Sequence, residues 1–138
     1  MTLSLTRSVR FSSAHRLYNP AWPDEQNTRV YGKCTSPGGH GHNYVLTVTV
    51  TGPFDAAAGM IINVSTLRDI LEREVVQQLD HRDLNHDVPF LQNIIPTMEN
   101  IAIALAARLQ PVLSAHNITL TRLVLAESDH HYVTLDLP

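Results

Sequence analysis

His40-Gly41-His42 opens a run, Asn43 to Thr51, in which apolar and polar or threonine side chains alternate with period two. Residues two apart on an extended segment point to the same face. Any fold of this chain that keeps that run as a strand therefore presents both imidazoles side by side at one strand end. An earlier alternating segment begins near Leu3 and closes on His15. Residues 3–14 and 43–52 read as two strands from their alternation and their Val, Thr and Leu content. If the two lie side by side, His15 joins the pair. Neutral imidazole suits zinc, and a catalytic zinc site has three protein ligands and one open position for water or substrate. A His-x-His pair by itself also arises by chance on polar strand ends. The third histidine and the residues around it carry the reading beyond chance.

The rest of the chain supplies helices and two more strands. Met60 to Val64 reads as a short extended return, with Gly52-Pro53 and Gly59 punctuating the hairpin. Ser65 is the expected cap of a helix whose apolar positions Leu67, Ile70, Leu71, Val75 and Leu79 recur at helical spacing, and Asp80 and His81 fall at its end. Thr97 is the expected cap of a second helix carrying Ile101, Leu105 and Leu109, with Pro111 expected to disturb its last turns. Residues 118–126 and 132–137 are the remaining strands, and Asn19 to Gly39 reads as a long, functional loop. The order β-β-α-α-β-β predicts an α+β fold, a four-stranded antiparallel sheet with two helices on one face.

At 138 residues the chain reads as a single domain, residues 1–138, large enough to bury a real core. A net charge of -3, with nine arginines and one lysine spread along the chain, gives no basic footprint, so nucleic acid is not an expected partner. The longest apolar run, Ile101 to Ala107, is far short of a membrane span and the N-terminus lacks a signal-like apolar core, which predicts a cytoplasmic protein without membrane attachment. One cysteine, Cys34, excludes an internal disulfide.

Seven pieces then stand in one order: His15-Arg16-Leu17, Tyr31-Gly32-Lys33-Cys34, Gly39 to Tyr44, Leu79-Asp80-His81, Leu84-Asn85, Pro96 to Asn100, and Glu127. Together they resemble the 6-pyruvoyl tetrahydropterin synthase family over almost the whole chain. The resemblance implies a tunnelling-fold protomer assembled as a homohexamer of two stacked trimers with active sites between protomers, and 7,8-dihydroneopterin triphosphate as substrate. It further implies His15, His40 and His42 as Zn2+ ligands, Cys34 as catalytic thiol acting with Asp80 and His81 of a neighbouring protomer, Glu127 as anchor of the pterin ring, and Thr97 and Glu99 as further substrate contacts. One departure is Ser128 where many members carry threonine after the glutamate; the hydroxyl is kept.

Residue chemistry suits these roles. A zinc ion polarises substrate hydroxyls and acidifies neighbouring C–H and O–H groups. A thiol next to Lys33 has a cation that favours the thiolate, and an Asp-His pair forms an acid-base relay. A carboxylate matches the paired N–H donors of an aminopyrimidinone edge. Each residue also has a plainer reading: Cys34 as a small buried side chain, Asp80-His81 and Glu99 as helix-end charges that complement the dipole. Two other functions compete. A 6-carboxy-tetrahydropterin synthase of the queuosine pathway uses the same substrate and releases acetaldehyde. It typically has its cysteine closer to His-x-His than the five-residue gap Thr35 to Gly39 seen here, so spacing favours the pyruvoyl type. A zinc- or pterin-binding regulatory protein without turnover is the second.

Overall fold

The computed structural model describes residues 1–138. Strand β1 (Ser4–His15) and strand β2 (His40–Thr51) pair antiparallel without a break from Ser4 opposite Thr51 to His15 opposite His40. Alternation sorts their side chains. Val9 and Phe11 from β1 and Tyr44, Leu46, Val48 and Val50 from β2 are buried on one face. On the other, hydroxyls bond across the pair, Thr6 to Thr49 at 3.0 Å and Ser8 to Thr47 at 2.7 Å.

β2 pairs with β4 (Thr119–Ala126), which pairs with β5 (Tyr132–Asp136), both antiparallel. A bulge at Thr49/Val50 shifts the register, so that Leu120 and Leu123, three apart, both reach the core. The sheet has five strands and not the four expected: β3 (Arg82–Asp83) runs parallel to β1 on its outer edge, giving the order β3-β1-β2-β4-β5. A two-residue strand is too short to show a period, which is why the sequence hid it.

Helices cover the apolar face. α2 (Val64–Leu71) continues through a π-helical turn, Glu72–Val76, into α3 (Gln77–Leu79). Leu67, Ile70, Leu71, Val75 and Leu79 are all buried, as their spacing predicted. The cap is Asn63, whose side chain accepts the Ser65 N–H at 2.8 Å, so Ser65 lies inside the helix and is not its cap. The extended return expected at Met60 to Val64 is a single bridge between Asp55 and Met60 ahead of that cap. α4 (Met98–Ser114) packs on β4 and β5 and buries Ile101, Leu105, Leu109 and Leu113. Thr97 caps it as expected, accepting the Asn100 N–H at 3.2 Å. Pro111 does not end the helix: it and Ala107, whose carbonyl it leaves without its helical donor, both lie on the exposed side, where the cost of the lost bond is least.

The expected loop 19–39 contains α1 (Asp24–Tyr31) and a 3-10 turn, Gly32–Thr35. α1 buries only Asn27, so no apolar period announced it. The Asn27 amide holds the segment instead: Oδ1 accepts the Asn19 N–H at 2.7 Å, and Nδ2 donates to the carbonyls of Asn19, Trp22 and Pro23. Gly32, at φ +58°, ends the helix in a conformation that favours glycine. No helix is long and apolar enough to cross a membrane.

Candidate metal centre and active site

The β1–β2 register sets the candidate metal centre. His15 lies opposite His40, and His42 lies opposite Ser13, so three imidazoles meet at one corner of the buried face. Their ligand nitrogens lie within 4.8 Å of one another, and His15 Nε2 and His40 Nε2 are 3.1 Å apart. Nitrogens sharing a tetrahedral zinc at about 2.0–2.1 Å are separated by roughly 3.4 Å, so this spacing fits a shared ion. The protonation pattern fits as well. His15 is 3% exposed, and its Nδ1–H donates to the Pro96 carbonyl at 2.7 Å, which leaves the Nε2 lone pair directed at the cluster. His42 Nε2 is buried with no hydrogen-bond partner, which is costly unless an ion or proton donor completes it. Burial is the largest influence on both His15 and His42, and it lowers their pKa values, which favours the neutral form that metal binding requires. These residues suit zinc.

Glu127 follows the end of β4, and its Oε2 lies 3.6 Å from His42 Nε2. The backbone N–H of Glu127 donates to the His131 carbonyl at 3.2 Å, closing the turn before β5 and fixing where the carboxylate points. Tyr44, buried and stacked on Phe11 with ring centroids 5.0 Å apart, carries its hydroxyl to 3.3 Å from His15 Nδ1. Sequence reasoning did not single out Tyr44 or Pro96 as supports of the metal site. Period two marks Tyr44, which continues the face of His40 and His42; nothing local marks Pro96, which arrives from 81 positions away.

Asp80 and His81 form a pair beside β1. Asp80 Oδ1 accepts the Ser12 N–H at 2.8 Å, and Asp80 Oδ2 accepts from His81 Nδ1 at 2.9 Å. The Ser12 bond, and then the His81 bond, hold the Asp80 carboxyl below its ordinary pKa. The backbone of His81 is at φ +59°, held there by its N–H to the Ser12 carbonyl. With Nδ1 committed to Asp80, Nε2 of this largely exposed ring carries no bond within the chain. His81 lines a cavity of about 460 Å³ with Ser12, His42, Asn43 and Arg82, and neither Cys34 nor Glu127 is among its walls.

Cys34 is half-buried in the 3-10 turn, where its carbonyl accepts the Leu17 N–H at 2.9 Å, and it stands outside the three-histidine cluster. Thr97 spends its hydroxyl on the α4 cap, and Glu99 is exposed in the first turn of α4 without a bonded partner. The structure thus brings together His15, His40, His42 and Glu127 within one chain. Asp80 and His81 form a second group, whose His81 shares one cavity with His42, and Cys34, Thr97 and Glu99 join neither.

The sequence model of the family described as 6-pyruvoyl tetrahydropterin synthase matches residues 4–137. A 6-pyruvoyl tetrahydrobiopterin synthase of Pongo abelii is 40% identical over 129 residues, 94% of this chain and 88% of that protein. The solved structure of Caenorhabditis elegans 6-pyruvoyl tetrahydropterin synthase superposes with a TM-score of 0.91 at 32% identity, covering 100% of this chain and 97% of that one. A 6-carboxy-5,6,7,8-tetrahydropterin synthase of Rickettsia conorii is more distant, 26% identical over 148 residues, 95% of this chain and 98% of that protein. The chain, with its tunnelling-fold protomer, belongs to the 6-pyruvoyl tetrahydropterin synthase family.

Proposed function

We propose that this protein converts 7,8-dihydroneopterin triphosphate to 6-pyruvoyl tetrahydropterin, eliminating triphosphate, as a zinc-dependent lyase. The observation that carries the reading is the meeting of His15, His40 and His42 with Glu127 3.6 Å from His42, a metal-ligating trio with a carboxylate beside it. When bound there, zinc supplies Lewis-acid polarisation of the substrate's side-chain hydroxyls.

The chain's own groups do the rest. Glu127 accepts two N–H donors from the aminopyrimidinone edge, which orients the ring toward the histidines. Cys34 takes and returns a proton on the substrate side chain, and it does not hold the metal. His81, oriented by Asp80 through Nδ1, exchanges protons at Nε2. Thr97 and Glu99 border the substrate from the start of α4. The next residue back, Pro96, already touches His15, which brings that loop to the site. The cavity that His81 lines includes His42 but neither Cys34 nor Glu127, which supports a reading in which the thiol and the Asp-His pair meet across an interface, in a homohexamer whose active sites lie between protomers.

Elemental analysis tests the metal assignment. The expected result is one zinc per protomer in the wild type, most of it lost in His42→Ala. Full zinc occupancy in that variant sinks the three-histidine site.

A further inference from the structure

We propose that the cavity enclosed by the end of β1, α1 and the 3-10 turn is a polyphosphate subsite in which Arg16, Lys33 and Thr35 hold the triphosphate of the substrate. The inference rests on the functional reading above and assigns the part of the ligand that reading leaves without partners.

The cavity measures about 560 Å³, and its walls include Arg16, Tyr18, Asp24, Lys33, Thr35 and Ser36. Its cations are held ready. Arg16 donates Nε to the Thr35 carbonyl at 2.6 Å and stacks its guanidinium 4.2 Å from the centroid of the Tyr18 ring. That places the planar group while leaving both terminal nitrogens unbonded, and a guanidinium edge is suited to two oxygens of one phosphate. Lys33 makes no hydrogen bond or ion pair within the chain, so its ammonium is free to meet a second phosphate. Asp24 is the acid of the wall. Its carboxylate accepts the Tyr18 hydroxyl at 3.4 Å, and two cations stand against this one anion.

A second, independent observation points to a ligand. Thr35 is 8% exposed, and its Oγ1 is buried with no hydrogen-bond partner. A buried hydroxyl left unpaired is unfavourable, and a phosphate oxygen is the acceptor it lacks. The Asn27 side chain, the other buried polar group of the wall, is by contrast fully engaged in holding α1.

Position links this cavity to the proposed chemistry. Arg16 directly follows His15 in sequence, and Lys33 and Thr35 directly flank Cys34, so the segments that carry the proposed ligand and thiol also supply the cavity's walls. The triphosphate leaves from the end of the substrate side chain that those groups act on. Arg29, on the same helix-turn segment, is not part of the wall, which separates it from Arg16 and Lys33.

Calorimetric titration of the zinc-loaded protein with inorganic tripolyphosphate tests the subsite, with metal content measured before and after. Wild-type protein should bind it in a salt-sensitive manner. Arg16→Gln and Lys33→Met should each weaken binding by about tenfold or more, Arg16→Lys should lose less than Arg16→Gln, and Arg29→Gln should match wild type. Lys33 makes no internal bonds, so Lys33→Met keeps the test valid if an Arg16 variant fails to fold. No binding, an equal loss in Arg29→Gln, or binding that merely tracks stripped zinc and is equal in all variants overturns the proposal. Turnover separates the two readings: conversion of dihydroneopterin triphosphate with KM untouched by Arg16→Gln and Lys33→Met discards the subsite alone. Variant-sensitive tripolyphosphate binding without any turnover discards the functional reading and leaves the subsite.

Discussion

His15 shows how single residues are made functional here. Its Nδ1–H is taken by the Pro96 carbonyl at 2.7 Å, so the backbone ahead of α4 selects the tautomer of the proposed ligand at the end of β1. The three histidines were legible because period two and strand ends are local signals. The carbonyl that sets the tautomer was not, because it is brought in only by tertiary packing. Cys34 stands out by its neighbours in sequence, yet its position relative to the three histidines is set by a 3-10 turn with no periodic signature. The same residue carries a prediction. Cys34→Ala should fold and keep its zinc, because the thiol lies outside the three-histidine cluster, while turnover falls by roughly two to four orders of magnitude, the range of general acid-base contributions. Kinetics paired with elemental analysis decides it, and loss of zinc together with the thiol makes Cys34 a ligand instead.

At the scale of elements, the three-histidine cluster is a property of one register. The unbroken pairing from Ser4–Thr51 to His15–His40 places the imidazoles together, and a slip by one residue would send His40 and His42 to the opposite face. Gly39 guards the closed end of that pairing. It sits at φ +68°, and a Cβ there would lie 2.9 Å from the His15 carbonyl oxygen. Gly39→Ala should therefore destabilise the fold by about 1–2 kcal/mol from the backbone conformation alone and reduce zinc retention, because relief of the contact moves His15 or His40. Chemical denaturation and metal analysis check both, and wild-type stability with wild-type zinc would remove the register argument. Strong apolar periods announced β1, β2, α2 and α4. The elements without such a period, α1 with its single buried asparagine and the two-residue β3, depend on side-chain amide bonds and on an edge already built, and were invisible in sequence.

For the whole molecule, the apolar face of the sheet is covered by α2, α3 and α4, while the opposite face carries Thr6, Ser8, Thr47 and Thr49 with no layer over it. Cys34 is not among the walls of the cavity that His81 lines, which motivates the proposal of sites completed between copies. Coexpressed Cys34→Ala and His81→Ala chains, each inactive alone, should recover partial activity as mixed assemblies; no recovery in verified mixed assemblies places both groups' work within a single protomer. The most direct test of the central claim is the identity of the product. Purified, zinc-loaded protein incubated with 7,8-dihydroneopterin triphosphate should release triphosphate and form 6-pyruvoyl tetrahydropterin with little acetaldehyde, as resolved by chromatography with a parallel acetaldehyde assay. Acetaldehyde equal to the substrate consumed, or binding of the substrate without any conversion, would contradict it.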